Sequence, residues 1–284
     1  MFKKTLKIIL IFILAVIFMR AFAVMTGFGT GDEIPANRVA VIDFNGEIFG
    51  SSQIIEKIEA LEDDDTVKGI ILRVNSPGGA VAPSNAIFDY LMTVNKPVYA
   101  AMGSVAASGG YLISLGADKI YAMPSTVTGS IGVIMSMMNT EELFNKIGVY
   151  SVVLKSGKFK DAGNPDRPMT DEERQVLMAI VMDMYDQFIT TVSTRRNMDK
   201  EEVRKIADGR ILTGRMAKEL NLVDSLGSWR EAFQDMKSVL NIDDLEIYEV
   251  KDEKEWWETL LDTASKINNS FHSKGRFYYI AEVY

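Results

Sequence analysis

Cysteine is absent from this chain, and histidine occurs once, at His272. The first absence excludes disulfides, thiolate nucleophiles and cysteine-bound zinc. The second removes the residue that most often takes the proton from a serine nucleophile. Positive charge is short as well: 31 Lys and Arg against 39 Asp and Glu give a net charge of −8. No basic stripe with interleaved aromatics appears, which argues against a nucleic-acid partner. What remains is an ordinary globular balance, 47% hydrophobic and 25% charged over 284 residues. That length suffices for one or two domains with a sizeable core.

Long hydrophobic runs are scarce too. The longest near the N-terminus follows Met-Phe-Lys-Lys-Thr-Leu-Lys and extends from Ile8 to Met19. At 1.5 Å per residue it covers about 18 Å, short of a hydrocarbon core of about 30 Å. Continued through Arg20 to Phe28 it reaches about 31 Å, with Arg20 snorkelling to an interface. The alternative is a cleaved signal peptide ending near Ala21-Phe22-Ala23. Either way the basic end stays in the cytoplasm and the rest lies across the membrane. The expectation is a membrane-anchor or signal segment over 1–30 and a Gly/Pro-containing linker over 31–37. A main domain follows over 38–242, then a polar, aromatic C-terminal extension over 243–284 that reads as a loosely held tail.

Between these ends, short apolar strands alternate with helices. Val39 to Phe44 and Val67 to Val74 read as buried strands, with a helix over Ser52 to Leu61 between them. Pro83 to Val94 reads as a helix and Val98 to Met102 as a strand. Strands at Ile120 to Ala122 and Tyr150 to Leu154 flank a helix at Glu141 to Ile147. Thr170 and Glu173 form a capping box that opens a long helix to about Arg195. The apolar run Val176 to Met182, with Met184, reads as core or subunit contact. Two shorter helices start near Glu201 and Arg215. The alternation predicts an α/β layer with largely buried strands.

Four segments carry chemistry. Asn75-Ser76-Pro77-Gly78-Gly79 ends a strand, and its glycines let the backbone approach a ligand and direct N–H groups into a pocket. The same residues also describe a plain Pro-Gly turn. Ser108, within Ala-Ser-Gly-Gly-Tyr, falls at a helix N-terminus, where free N–H groups favour an anionic intermediate. A serine there also serves as an ordinary N-cap. With no histidine at hand, a lysine is the best remaining base, and Lys155, Lys158 and Lys160 lie together. An ordinary lysine, with a pKa near 10.4, is charged at neutral pH and cannot accept a proton until burial discharges it. Composition does not choose among the three. Ser130, in Thr-Gly-Ser-Ile-Gly, either orients a lysine or merely makes a turn.

Residues 38 to about 240 resemble the signal peptide peptidase A-type serine proteases of bacteria and archaea. The resemblance rests on the Asn-Ser-Pro-Gly-Gly turn, Ala-Ser-Gly-Gly-Tyr, Thr-Gly-Ser-Ile-Gly and Ser-Gly-x-x-Lys-Asp, in that order. Thr213-Gly214-Arg215 through Leu222-Val223-Asp224 resembles the family's C-terminal helical signature. The resemblance implies a Clp protease/crotonase-like α/β fold of repeated β-β-α units, present here as one copy. It implies Ser108 as nucleophile, Lys160 as general base and Ser130 as the residue orienting the lysine. Gly109 with Gly78 or Gly79 would form the oxyanion hole. It also implies peptide substrates, released signal peptides above all, with no metal or cofactor. The expected setting is single-pass attachment to the cell membrane, with the catalytic domain on the extracytoplasmic side. The expected assembly is a homo-oligomer of about eight subunits in which serine and lysine meet across neighbours. Two other readings stand beside this one: a non-catalytic membrane scaffold of the same fold, and a crotonase-type acyl-CoA enzyme sharing the oxyanion turn.

Overall fold

The computed structural model describes residues 36–250 and the strand Phe277–Ile280. The expectations for segment 1–30 and for all but the end of the 31–37 linker lie outside those residues. In chain order the elements are β1 (Arg38–Asn45), α1 (Ser52–Glu62), β2 (Val67–Ser76), β3 (Gly78–Ala80) and α2 (Val81–Leu91). Next come β4 (Val98–Ala107), α3 (Gly109–Ser114), β5 (Lys119–Ala122), β6 (Val127–Gly129), β7 (Ile134–Met135) and α4 (Glu141–Lys146). The long α5 (Asp171–Arg196) is followed by α6 (Lys200–Ile206), β8 (Ile211–Thr213), α7 (Gly214–Glu219), β9 (Ser225–Leu226) and α8 (Trp229–Leu240). The last two strands are β10 (Glu246–Glu249) and β11 (Phe277–Ile280).

The main sheet runs β10-β1-β2-β4-β5-β9, with β6 beside the end of β4 and β8 beside β6. All its pairings are parallel except β6 with β8. Its apolar strands are buried on both faces because helices cover both, as a parallel sheet requires. Side chains alternate between the faces. Ala40, Ile42, Ile70, Leu72 and Val74 join α1, α2, α3 and the second half of α5 in the larger core. Val39, Val41 and Ile71 turn the other way and pack with Ala232, Phe233 and Met236 of α8. The architecture is the expected α/β layer.

Several boundaries differ from the sequence reading, each for a local reason. The strand expected to stop at Met102 continues to Ala107. Beyond Met102 the strand carries a bulge: Val74 pairs with Met102, but Ser76 pairs with Ala106. Asn75 Oδ1 accepts from the Val105 amide at 3.1 Å and ties the bulge down. Bulges re-aim a strand, and this one directs the end of β4 onto β6. The Gly78-Gly79 segment is not simply a turn; it is the strand β3, in a second sheet ordered β3-β11-β7. The strand expected at Tyr150 to Leu154 does not form. Among the described residues no neighbouring strand takes up its backbone, and Val152 and Leu154 are 87% and 94% exposed. The stretch after Asp243 is not wholly loose, because β10 pairs in parallel with β1 at the sheet edge.

Helix α5 opens with the expected capping box, Thr170 accepting from the Glu173 amide and Glu173 from the Thr170 amide. Its second half is core, through Phe188, Ile189 and Val192. Its first half exposes Val176, Met178, Ile180 and Met182, so that part of the apolar run is not core. Among the described residues, α5 is the helix long and apolar enough to cross a membrane.

Gly110 is a packing requirement. A Cβ there would lie 2.6 Å from the Ser76 carbonyl oxygen, where β2 passes beneath α3. Gly110→Ala is expected to destabilise the fold by about 1–3 kcal/mol, the usual cost of forcing backbone apart in a packed core. The check is thermal unfolding, with a melting temperature several degrees lower.

Candidate active site

The site is built where β4 and β6 end. Their parallel register pairs Ala107 with Gly129, so Ser108 and Ser130 are the next residues on adjacent strands. Both leave the sheet with positive φ, 53° and 51°. Such backbone is costly for a residue with a Cβ and is retained where surrounding structure holds it. Here the Ser108 amide donates to the Gly129 carbonyl at 2.8 Å, and the Ser130 amide to the Arg210 carbonyl at 2.8 Å. The strained turn lifts Ser108 off the strand and onto the first turn of α3.

Ser108 occupies the N-cap position but does not cap α3. The residue is 1% exposed, and its Oγ has no hydrogen-bond partner among the described residues. Buried hydroxyls are nearly always paired, so the ordinary N-cap reading fails for this serine. Gly109, beside it, contributes a first-turn N–H that the helix does not use. A Cβ on Gly109 would fall 2.7 Å from Ser84 Oγ and 3.2 Å from Gly78 Cα. The two glycine segments singled out in the sequence therefore meet. The Gly78 amide points at Ser76 Oγ, 3.1 Å away. Ile48 engages β3 from one side, donating to the Gly78 carbonyl at 2.9 Å and accepting from the Ala80 amide at 2.7 Å. Backbone groups of successive strand residues point to opposite sides, so those of Gly79 face away from Ile48, toward β11.

Lys160 is the residue this chain does not bring to Ser108. It lies exposed in the loop between α4 and α5, its amide donating to the Gly157 carbonyl at 3.2 Å. The buried lysine that the chemistry calls for is thus not formed within one subunit. The three neighbouring lysines are nonetheless distinguished. Lys155 pairs with Asp161 at 2.5 Å, and Lys158 pairs with Glu172. Lys160 enters no ion pair among the described residues.

A network that the sequence reading missed anchors the Lys160 loop. Arg167 binds both carboxylate oxygens of Glu173, and it donates to Asp161 Oδ2 and to the Asp161 carbonyl at 3.2 Å each. Glu173 is 3% exposed. The loop is therefore stapled to the first turn of α5 at the residue after Lys160. The Arg167 guanidinium, helped by the Thr170 amide, holds the Glu173 carboxyl down at about 2 against an ordinary 4.5. A depressed carboxyl stabilises the fold above its unfolded pKa and loses that contribution as pH falls through its folded value. Arg167→Ala is therefore expected to lower the melting temperature at neutral pH. Its deficit should narrow between about pH 4.5 and 2, and a pH series of melting temperatures checks it. The capping box pointed to Glu173 in the sequence, but nothing local pointed to Arg167.

The motif at Ser108 is also tied to the C-terminal signature. Tyr111 is fully buried and its hydroxyl donates to the Leu222 carbonyl at 2.9 Å. Arg196 clamps the Asp224 carboxylate, which also accepts from the Ile120 amide at 2.7 Å.

A largely parallel α/β sheet with helices on both faces, running out at a strained, buried serine beside an open helix N-terminus, is the architecture of a Clp protease-like fold. Family comparison agrees: residues 37–129 match the Clp protease family, and residues 91–243 match peptidase family S49. The chain belongs to peptidase family S49. It is 39% identical over 213 residues to an Enterococcus faecium protein bearing the provisional name signal peptide peptidase SppA, covering 74% of this chain and 62% of that one. A provisionally named protease of Synechocystis is 38% identical, over 72% of this chain and 76% of its own length. Protease 4 of Haemophilus influenzae is 34% identical over 72% of this chain, but only 35% of that protein is covered.

Proposed function

We propose that this chain is a subunit of a membrane-associated serine endopeptidase that cleaves apolar peptides in extended form, released signal peptides above all. The observation that carries this reading is the Ser108 hydroxyl: buried, unpaired, and held by strained backbone beside the Gly109 amide. A fold gains nothing from such an arrangement, whereas a nucleophile awaiting a base requires it.

The base is Lys160 of a neighbouring subunit, oriented by Ser130. Docking against the neighbour would take this lysine out of water, the condition under which a lysine can accept a proton. Lys160 then takes the Ser108 proton as Oγ attacks the scissile carbonyl, and the oxygen that becomes negative is held by backbone N–H groups at Gly109 and at Gly78 or Gly79. Lys160 returns the proton to the leaving amine. A water, deprotonated by the same lysine, then opens the acyl-enzyme and restores Ser108.

Two features support assembly. Lys160 does not reach Ser108 within its own chain, and the apolar Tyr150 to Leu154 stretch and the first half of α5 stand exposed near the Lys160 loop in sequence. A homo-oligomer of about eight subunits on the extracytoplasmic side of the cell membrane, held by one N-terminal span, accounts for both. The test is hydrolysis of a fluorogenic apolar peptide by the full chain in detergent micelles, together with fluorophosphonate labelling located by mass spectrometry. Turnover with the label on Ser108 is expected. An assembled chain that neither hydrolyses any peptide of a broad panel nor takes the label would instead be a scaffold of the same fold.

A further inference from the structure

Lys160 is exposed, yet the residues on either side of it are tightly held. A guanidinium has five N–H hydrogens, and at Arg167 each has an acceptor. Nε donates to Asp161 Oδ2 at 3.2 Å, and Nη1 to Glu173 Oε2 at 2.9 Å and the Pro168 carbonyl at 3.1 Å. Nη2 donates to Glu173 Oε1 and, at 3.2 Å, to the Asp161 carbonyl. Asp161 is fixed from its other side too, its Oδ1 accepting from Lys155 at 2.5 Å and its carbonyl from the Asn164 amide at 3.0 Å. Lys155 also donates to the Lys158 carbonyl at 3.2 Å, so the turn is gripped before and after Lys160. Farther along, the Thr140 amide donates to the Pro165 carbonyl at 2.7 Å. Met137 packs against Gly163 so closely that a Cβ there would stand 2.5 Å from its sulfur.

Lys160 stands at the edge of this clamp, its Cα one peptide unit, about 3.8 Å, from that of Asp161. Well-packed apolar residues would hold the loop to α5 with no loss of stability. What the guanidinium fork adds is direction, because its planar donors fit one arrangement of Glu173 and Asp161. The residue so directed adjoins the lysine that enters no ion pair among the described residues, while Lys155 and Lys158 are paired.

We infer that Arg167, locked to Glu173, is a positioning residue for the active site of the neighbouring subunit: through Asp161 it fixes where Lys160 meets the neighbour's Ser108. This rests on the peptidase reading for what Lys160 does, but not for what holds its loop. Arg167 spends its donors on Asp161, Pro168 and Glu173, so it acts through Lys160 and not on the substrate. A base misplaced by about 1 Å loses on the order of a hundredfold in rate. The effect falls on kcat and not on KM, since the glycine segments that hold the substrate carbonyl belong to the other chain.

Arg167→Lys keeps the charge and loses the fork. It is expected to lower kcat for the fluorogenic apolar peptide roughly ten- to hundredfold at unchanged KM. Glu173→Gln keeps an oxygen for the Thr170 amide, weakens the same clamp and should act in the same direction. Native kcat in both variants would overturn the proposal. Co-assembly reads which site Arg167 serves. In a ring of equal amounts of Ser108→Ala and Lys160→Ala chains, about one quarter of sites join an intact serine to an intact lysine. Arg167→Lys added to the Lys160→Ala chain should leave that recovery as it is, because this chain contributes only the serine. Added instead to the Ser108→Ala chain, it should cut the recovery roughly ten- to hundredfold. Both mixtures hold the same share of altered chains, so a defect in folding or assembly would lower both alike. Equal recoveries would therefore overturn the proposal, as would an assembled plain pair with no recovery. Hydrogen exchange needs no turnover: the amides of Lys160, Ala162 and Asn164, which donate within the loop, should exchange faster in Arg167→Lys. Unchanged exchange would overturn the clamp itself. Faster exchange in a native chain that hydrolyses nothing would sink the peptidase reading, and the positioning role with it, while leaving the clamp in place.

Discussion

Ser108→Ala is expected to reduce kcat for peptide hydrolysis by about 10⁴- to 10⁶-fold, the scale of losing a serine nucleophile, while leaving the melting temperature no lower than that of the native chain. The two halves of this result come from one atom. Ser108 Oγ makes no hydrogen bond among the described residues and does not cap α3, so no hydrogen bond among them is lost with it. The strain at φ 53° belongs to the backbone and persists in alanine. A serine retained as an N-cap would behave in the opposite way: its alanine variant would lose about 1 kcal/mol of stability and little activity. Peptide hydrolysis and calorimetry on the same preparation separate the two. Full activity in the alanine variant would remove Ser108 from the mechanism.

The second large effect concerns Lys160. Lys160→Ala should lose activity on a similar scale, whereas Lys155→Ala and Lys158→Ala should retain a substantial part of it. Their side chains are committed to Asp161 and Glu172, so removing them perturbs the loop and not the proton transfer. The sharper experiment mixes two inactive chains. On the proposed assembly, each site of a closed ring would draw its serine from one subunit and its lysine from the next. Random co-assembly of equal amounts of Ser108→Ala and Lys160→Ala subunits should restore roughly one quarter of native activity, because half the sites have an intact serine and half of those meet an intact lysine. Dissociation and reassembly of the mixture, followed by hydrolysis of the fluorogenic peptide, measures it. No recovery from a properly assembled mixture would mean that serine and lysine belong to the same chain, and the Lys160 loop would then have to close onto its own Ser108.

Much of the fold could be read from local pattern. The apolar runs from Val39 and Val67, the amphipathic helix from Ser52 and the capping box at Thr170 are signals carried by a few consecutive residues, and tertiary packing had no reason to override them. The same holds for the glycine and serine motifs, since a glycine or a serine at a strand end is recognisable before its neighbours are known. The misreadings share a cause. The strand expected to end at Met102 runs on to Ala107 through a bulge, because Asn75 and β6 are there to receive it. Tyr150 to Leu154 has strand composition but finds no partner strand among the described residues.

Local pattern, then, was enough to indicate the layer architecture and to single out Ser108 and the motifs around it. Folding alone decided the rest: that Ala107 pairs with Gly129 and so sets Ser108 beside Ser130, that Arg167 staples the Lys160 loop to Glu173, and that the tail strand lies between β3 and β7. Each of these depends on strand register or on a contact between distant segments, and no stretch of neighbouring residues encodes either.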